Sequence, residues 1–304
     1  MKTNFVISCD SCVDIFKSYL DKKNVHSITM KRVLNGNEIS EHYNSTKEFD
    51  AFYEAMKKGA LPTTVAINPS EMQQHFEEIL KKDSQCESSQ DIIHLPLSSG
   101  LSTTCDNAIK AAAELNKTLK NRKIHVIDTF GATLTMGYLC EELIELRDKG
   151  TSTKDAIKRI EELRDHMQIW IIMTDLFNLK RGGRISGVKA TIGTLLKINP
   201  IIILNHIGKL AIENKMKGNK HAIDYVLAKM QKLGKDVNKN FDTSTVYVVR
   251  TSQSKLYEDT KAAVAKKYPN MKMKEGIVGP IIGSHLGCNS TIVIFEGAKR
   301  LEVE

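Results

Sequence analysis

Strand-length apolar runs alternate with helix-spaced segments along almost the whole chain, and that alternation leaves few folds open. Residues 4–9 (NFVISC) read as a short buried strand ended by Asp10 and Ser11, and residues 13–20 start a helix. Residues 25–34 read as a second strand, turned by Asn35 and Gly36. Ser45 and Glu48 have capping-box spacing, and Phe49, Phe52 and Met56 follow at i, i+3 and i+7. A helix is expected there, with Gly59 as its C-cap. Another begins near Asn68, Pro69 and Ser70 and carries Met72, Phe76, Ile79 and Leu80. Residues 91–97 form a strand, an alanine-rich helix follows from about Asp106, residues 123–128 form a strand, and residues 133–147 a helix. The order predicts an α/β fold, with a largely parallel sheet and helices on both faces.

Gly150, Thr151 and Ser152 mark the expected boundary between two α/β domains, residues 1–150 and 151–304, which suits a chain of 304 residues. Beyond it come a helix over 154–166, a strand over 169–174 and a double-glycine turn at Gly182 and Gly183. An amphipathic helix is expected from Ile185 to Leu196, then a strand over 200–204 and a hairpin around Gly208. A helix over 220–233, a strand over 245–250, a helix over 254–267 and strands near 276–282 and 291–296 complete the chain. No internal repeat stands out.

With 41% hydrophobic and 26% charged residues, the chain can build ordinary cores. Its net charge of +8 suits nucleic acid, a membrane surface or an acidic protein, but the lysines are scattered and form no basic block. The apolar run near the N-terminus is too short for a signal sequence, and no stretch approaches the ~18 apolar residues that span a bilayer. A cytoplasmic location is expected. Cys9 and Cys12 form a C-x-x-C without the second pair or histidines that zinc requires, so free thiols and no metal site are expected.

Four segments carry polar chemistry. Residues 61–70 (LPTTVAINPS) set two threonines before a helix N-terminus, where hydroxyls and N–H groups suit a carboxylate or phosphate; from composition alone a helix-entry loop with polar caps is the favoured reading. Residues 95–108 (LPLSSGLSTTCDNA) place a hydroxyl-rich loop after a strand, where ligands of α/β sheets sit and where loop N–H groups bind anions; an ordinary turn is the alternative. Residues 179–187 (LKRGGRISG) make a sharp turn whose arginines suit an anion or a partner protein. Residues 279–289 (GPIIGSHLGCN) put His285 between glycines in a loop between two strands, structural or hydrogen-bonding.

Taken in order, these segments resemble the DegV family, whose best-understood members are bacterial fatty-acid-binding proteins. The likeness runs through Asp10, Ser11, Asp14 and Ile15, then Pro62, Thr63 and Thr64, residues 97–102 (LSSGLS) and 126–129 (VIDT). It continues through LKRGGRIS, residues 195–202 (LLKINPII) and residues 281–287 (IIGSHLG). The resemblance implies a fatty acid buried between two α/β domains, its carboxylate held by Thr64, Ser98 and Ser99 with His285 nearby. It also implies a carrier with no catalytic residue, cofactor or nucleotide site. Such a carrier presents a long-chain fatty acid to a separate fatty acid kinase, which uses ATP and magnesium, and the acyl phosphate serves phospholipid synthesis. Arg184, Lys215 and Lys217 would contact the lid or the partner, and Gly182 and Gly183 would let the helix from Ile185 act as a lid. No nucleic acid and at most transient membrane contact are implied.

Departures from the family pattern fall at Val65, Ala66, Thr103, Arg250, Thr251, Cys288 and Asn289, and in Lys215-Met216-Lys217. The anchor hydroxyls and His285 are kept. Two other readings stand beside this one: a Ser98–His285 hydrolase acting as esterase or phosphatase, and a basic nucleic-acid-binding regulator.

Overall fold

The structure is a computed structural model that describes residues 4–40, 43–83, 90–185, 198–300 and 302. Its contacts divide the chain into two compact units, one made of residues 1–45 and 64–164 and the other of residues 46–63 and 165–304. The sequence places a single cut at Gly150. Asn4 instead donates through Nδ2 to the carbonyls of Gly150 and Thr151 at 3.0 Å each, which ties that turn to the first strand and keeps the following helix in the first unit.

The first unit opens with β1 (Phe5–Asp10), α1 (Lys17–Lys22), β2 (Val25–Ile28), β3 (Lys31–Leu34) and β4 (Asn37–Ile39). The expected single strand over 25–34 is thus broken at Thr29 and Met30, where the Met30 N–H is taken by Ser11 Oγ at 3.0 Å. The Asn35–Gly36 turn is as read, with both residues at positive φ (52° and 81°). After α2 (Thr46–Lys57), which belongs to the second unit, come β5 (Thr63–Val65), α3 (Pro69–Asp83), β6 (Asp91–Leu95), α4 (Thr104–Asn116), β7 (Ile124–Val126), α5 (Leu134–Asp148) and α6 (Thr153–His166).

β2, β1, β6 and β7 pair in that order and all in parallel, as the alternation predicts. β1 is an inner strand and buries all its residues but Val6, so even its polar Ser8 and Asp10 lie in the interior. β4, β3 and β5 form a small separate sheet, so the threonines at 63 and 64 lie on a short strand rather than a loop. α3 starts with a reciprocal cap: Asn68 Oδ1 accepts the Glu71 N–H and Glu71 Oε2 accepts the Asn68 N–H.

The second unit continues with β8 (Met167–Ile172), α7 (Phe177–Arg181), β9 (Ile198–Leu204), β10 (Leu210–Lys217), α8 (Asn219–Met230), β11 (Thr245–Arg250), α9 (Lys255–Lys267), β12 (Lys272–Ile277), α10 (Pro280–Leu286) and β13 (Thr291–Glu296). These strands form one mixed sheet, β10-β9-β8-β13-β11-β12, in which only β11 and β12 run parallel. All six residues of β8 are buried. Trp170, Ile172, Ile203, Met230, Phe241 and Phe295 belong to the core packed on this sheet. The hairpin around Gly208 (φ 70°) is as read.

The segment around His285 is a helix, where the sequence suggests a loop between strands. Pro280 at its first turn lacks the N–H that a helix start leaves unpaired, and Gly287 at φ 74° ends it. The lid helix expected after Ile185 lies outside the described residues.

Candidate functional site

In the first unit the parallel register fixes what happens at the carboxyl ends of the strands. Cys9 pairs with Leu95, the last residue of β6, so Asp10 stands beside the point where the chain leaves that strand. Its fully buried carboxylate accepts the Leu97 N–H at 2.6 Å through Oδ2 and the Cys12 N–H at 2.8 Å through Oδ1. Burial raises the Asp10 pKa to about 6, against the pull of these two hydrogen bonds.

Ser98 follows, fully buried. Its N–H donates to Gly131 O, its carbonyl accepts from the N–H groups of Leu101 and Ser102, and its Oγ accepts the Gly100 N–H at 3.1 Å. Ser99 is exposed, and its N–H donates to the Asp128 carboxylate at 3.3 and 3.4 Å. Asp128 Oδ1 also accepts the Phe130 N–H at 3.0 Å. The N–H groups of residues 97–102 are therefore all used within the protein. The expected anion cradle of loop N–H groups is not what the loop offers; hydroxyls are what it can present to a ligand. Ser98 knots the loop together, and Ser99 stands at its surface.

The head of α4 ties this loop to the threonine strand. Thr104 Oγ1 accepts the Ile67 N–H at 3.3 Å, and Asn107 Nδ2 donates to the Ile67 carbonyl at 2.8 Å. Thr64, half-buried on β5, lies three residues before that anchor. Val65 and Ala66, where the family pattern has polar residues, line an open cleft of about 330 Å³ together with Ser27, Lys31, Glu71 and His75. A second cleft, of about 360 Å³, shares Ser27, His75 and Glu78. Lysines, glutamates, histidine and hydroxyls dominate both, which does not suit an acyl chain.

Beneath those clefts Ser8 Oγ is hydrogen-bonded to His75 Nε2 at 2.8 Å and to His94 Nδ1 at 2.9 Å. Burial pushes His75 down to about 4 and the fully buried His94 well below its ordinary value. The five described cysteines are free thiols; a hydrogen bond with Cys140, together with burial, raises Cys9 of the C-x-x-C, and burial raises Cys12. Such thiols are inert.

In the second unit His285 is carried by α10 and rests against the turn after α7. Burial, with the positive charges of Arg184 and Arg181 adding to it, lowers its pKa to about 4, so the ring is neutral near pH 7. Arg181 Nη2 donates to Pro62 O at 2.8 Å and to Ser284 O at 3.1 Å, holding α7 to the ends of two other segments. Arg184 is exposed and donates to Gly182 O. Lys215 and Lys217 are exposed on β10, an edge strand of the sheet.

Arg250, where the family pattern has histidine, makes a two-pronged ion pair with Asp50 of α2 at 2.7 and 3.2 Å. Ser252 and Asn289 bond reciprocally at 3.0 Å in the next turns. The departures at Arg250 and Asn289 thus serve internal contacts of this unit. Thr64, Ser98 and Ser99 stand in the first unit, and His285, Arg184, Lys215 and Lys217 in the second. Asp10, Asp128 and Asn107 are positioning residues to which the motifs assign no role, and Arg181 serves internal contacts where the sequence suggests an anion or a partner. An aspartate closing a strand in the DSC and VIDT segments was the available signal for the first two.

Fold and loop chemistry together define an α/β protein whose polar loop stands beyond the carboxyl ends of a parallel sheet, the usual place for a ligand. The chain belongs to the DegV family: the family model described as "Uncharacterised protein, DegV family" matches residues 4–297. A DegV domain-containing protein of Clostridium perfringens is 28% identical over 296 residues, covering 97% of this chain and 98% of the relative. The crystal structure of DegV of Bacillus subtilis, a fatty acid binding protein, is similar with a TM-score of 0.79 and 26% identity over 97% of this chain and 100% of that one. The fatty acid kinase B3 protein of Streptococcus pneumoniae, solved loaded with linoleic acid, shares the fold, with a TM-score of 0.77 and 16% identity over 96% and 99% of the two chains.

Proposed function

We propose that this protein binds a long-chain fatty acid and carries it to a separate ATP-dependent fatty acid kinase, without transforming it. In this reading Thr64 and Ser99 offer hydroxyls to the carboxylate, Ser98 shapes the loop that presents them, and neutral His285 of the second unit adds a further hydrogen bond. The observation that carries the reading is the saturated serine loop: its backbone N–H groups are all used, so hydroxyls are the donors that remain, which suits one weakly anchored carboxylate rather than a phosphate. The fatty acid binding of the Bacillus subtilis protein supports it.

Affinity then comes chiefly from the tail. A C16-type chain has about fifteen carbons to bury at roughly 0.8 kcal/mol each, whereas hydroxyl hydrogen bonds contribute about 1 kcal/mol apiece and set orientation. Arg184, Lys215 and Lys217 remain the contacts proposed for lid or partner. A carrier of this kind works in the cytoplasm and touches membranes only transiently; among the described residues no helix is long and apolar enough to cross one.

A serine hydrolase is the weaker reading, because Ser98 is fully buried and its Oγ accepts the Gly100 N–H inside the loop, whereas a nucleophile must be open to its substrate. Native mass spectrometry, followed by organic extraction, tests the proposal. A single co-purifying fatty acid per chain is expected. Protein that arrives empty and also fails to take up palmitate overturns the reading.

A further inference from the structure

We infer that Asp10 is the positioning residue of the carboxylate site: its buried charge fixes the Leu97 N–H and so decides where the hydroxyls of Ser98 and Ser99 stand. The inference rests on the fatty-acid reading above.

A carboxylate with no exposed surface is costly to bury and persists only where its hydrogen bonds require it. The requirement is visible here. Two backbone N–H groups converge on Asp10, one from the turn after β1 and one from the chain leaving β6. Only a group with two acceptor oxygens satisfies both; an asparagine would set its NH2 against one of them. The bonds are short and charge-assisted, so they hold position as well as satisfying the donors.

The register explains why this position can do so. β1 extends one residue past the last paired residue of β6, and that extra residue is the aspartate. Asp128, just beyond β7, repeats the arrangement on the next loop residue, Ser99. Ser98 is therefore held from both sides, through Leu97 by one carboxylate and through Ser99 by another. Neither aspartate is needed to touch the ligand. They stand behind an anion site because they take the Leu97 and Ser99 N–H groups, leaving orientation of the hydroxyls as the means of recognition. Sites of that kind lose selectivity when their support loosens by about 1 Å.

The test compares the full-length wild type with Asp10→Asn. Affinities are measured for palmitate and for hexadecanol, which share a tail and differ at the head, with amide exchange followed across residues 97–102. The variant should unfold cooperatively, exchange faster across the loop and lose at least tenfold in affinity for palmitate, while hexadecanol binding holds. A merely structural role would weaken both ligands alike, and an unchanged palmitate-to-hexadecanol ratio overturns the inference. Should the variant not fold, the wild-type Asp10 carboxyl is titrated by carbon-13 NMR with and without palmitate. A nearby ligand carboxylate should move its titration upward, and no movement also overturns the inference. Wild-type protein that binds neither ligand overturns the fatty-acid reading instead, and amide exchange in the variant then decides alone whether Asp10 orders the loop.

Discussion

Gly182 and His285 fit one another by the absence of a methyl group: a Cβ at position 182 would stand 2.2 Å from His285 Nδ1. The bare backbone lets the imidazole lie against the turn after α7. Gly182→Ala should displace the ring and destabilise the protein by roughly 1–3 kcal/mol, as overpacking does. Gly183→Ala, at φ 68° with open space around it, should cost about 1–2 kcal/mol through backbone strain alone. Urea midpoints compare the two, and NMR titration separates them: the His285 pKa, lowered to about 4, should move toward its ordinary value only in the Gly182 variant.

The two serines of the loop should behave differently. Ser98→Ala removes the acceptor of the Gly100 N–H inside a buried turn and should cost about 1 kcal/mol of stability. Ser99→Ala touches an exposed side chain whose backbone N–H does the anchoring, so stability should hold. Fatty-acid retention should fall in both, and a Ser99 variant with unchanged retention removes that residue from the site.

Arg250→Lys tests the ion pair with Asp50. Lysine cannot reproduce the two parallel hydrogen bonds of the guanidinium. The Arg250 side chain is 11% exposed and that of Asp50 46%, so water screens the pair and a loss near 1 kcal/mol is expected. The difference from wild type should shrink in about 1 M salt.

Four groups set the acid response, His94 and Asp10 fully buried and His75 and His285 half-buried. His75 and His285 have pKa values lowered to about 4, and His94 is lowered well below 6.5. In the pH window between those folded values and 6.5 the unfolded chain binds these protons and the folded protein does not. Stability from the histidines is therefore fully present above pH 6.5 and lost as pH falls. Asp10, raised from 3.8 to about 6, acts oppositely, because between those values the folded protein binds the extra proton. Near pH 5 the unfolded chain should hold about two more protons from these groups, three from the histidines less one from Asp10. Urea midpoints measured from pH 7.5 to 4.5 should fall with that slope, and a flat profile would contradict the burial of the histidines.

The alternation of apolar runs located most of the longer described strands and helices, because residues such as those of β8 are buried along their whole length, but the short β4, β5 and α7 carry too few residues to show a period. The helix bearing His285 was less legible. Its glycines look like loop residues, yet Gly283 is small because a Cβ there would stand 2.4 Å from the Tyr53 hydroxyl, a contact far away in sequence. The hydroxyls of the serine loop were readable from their residue types. The fate of the N–H groups was not, since it depends on Asp10 and Asp128 arriving from neighbouring strands. The division of the chain was hidden for a similar reason: α2 joins the second unit through Arg250 and through the Tyr53 hydroxyl, which donates to Val278 O at 2.8 Å.

That allegiance of α2 has a consequence during synthesis. Its partners Arg250 and Val278 lie 200 and 225 residues downstream of Asp50 and Tyr53. While the ribosome makes the intervening chain, the face bearing Phe49, Phe52 and Tyr53 has no native cover and is a natural client for a chaperone. A fragment ending at Gly150 would keep that greasy helix permanently exposed, and would be expected to aggregate even with its parallel sheet complete.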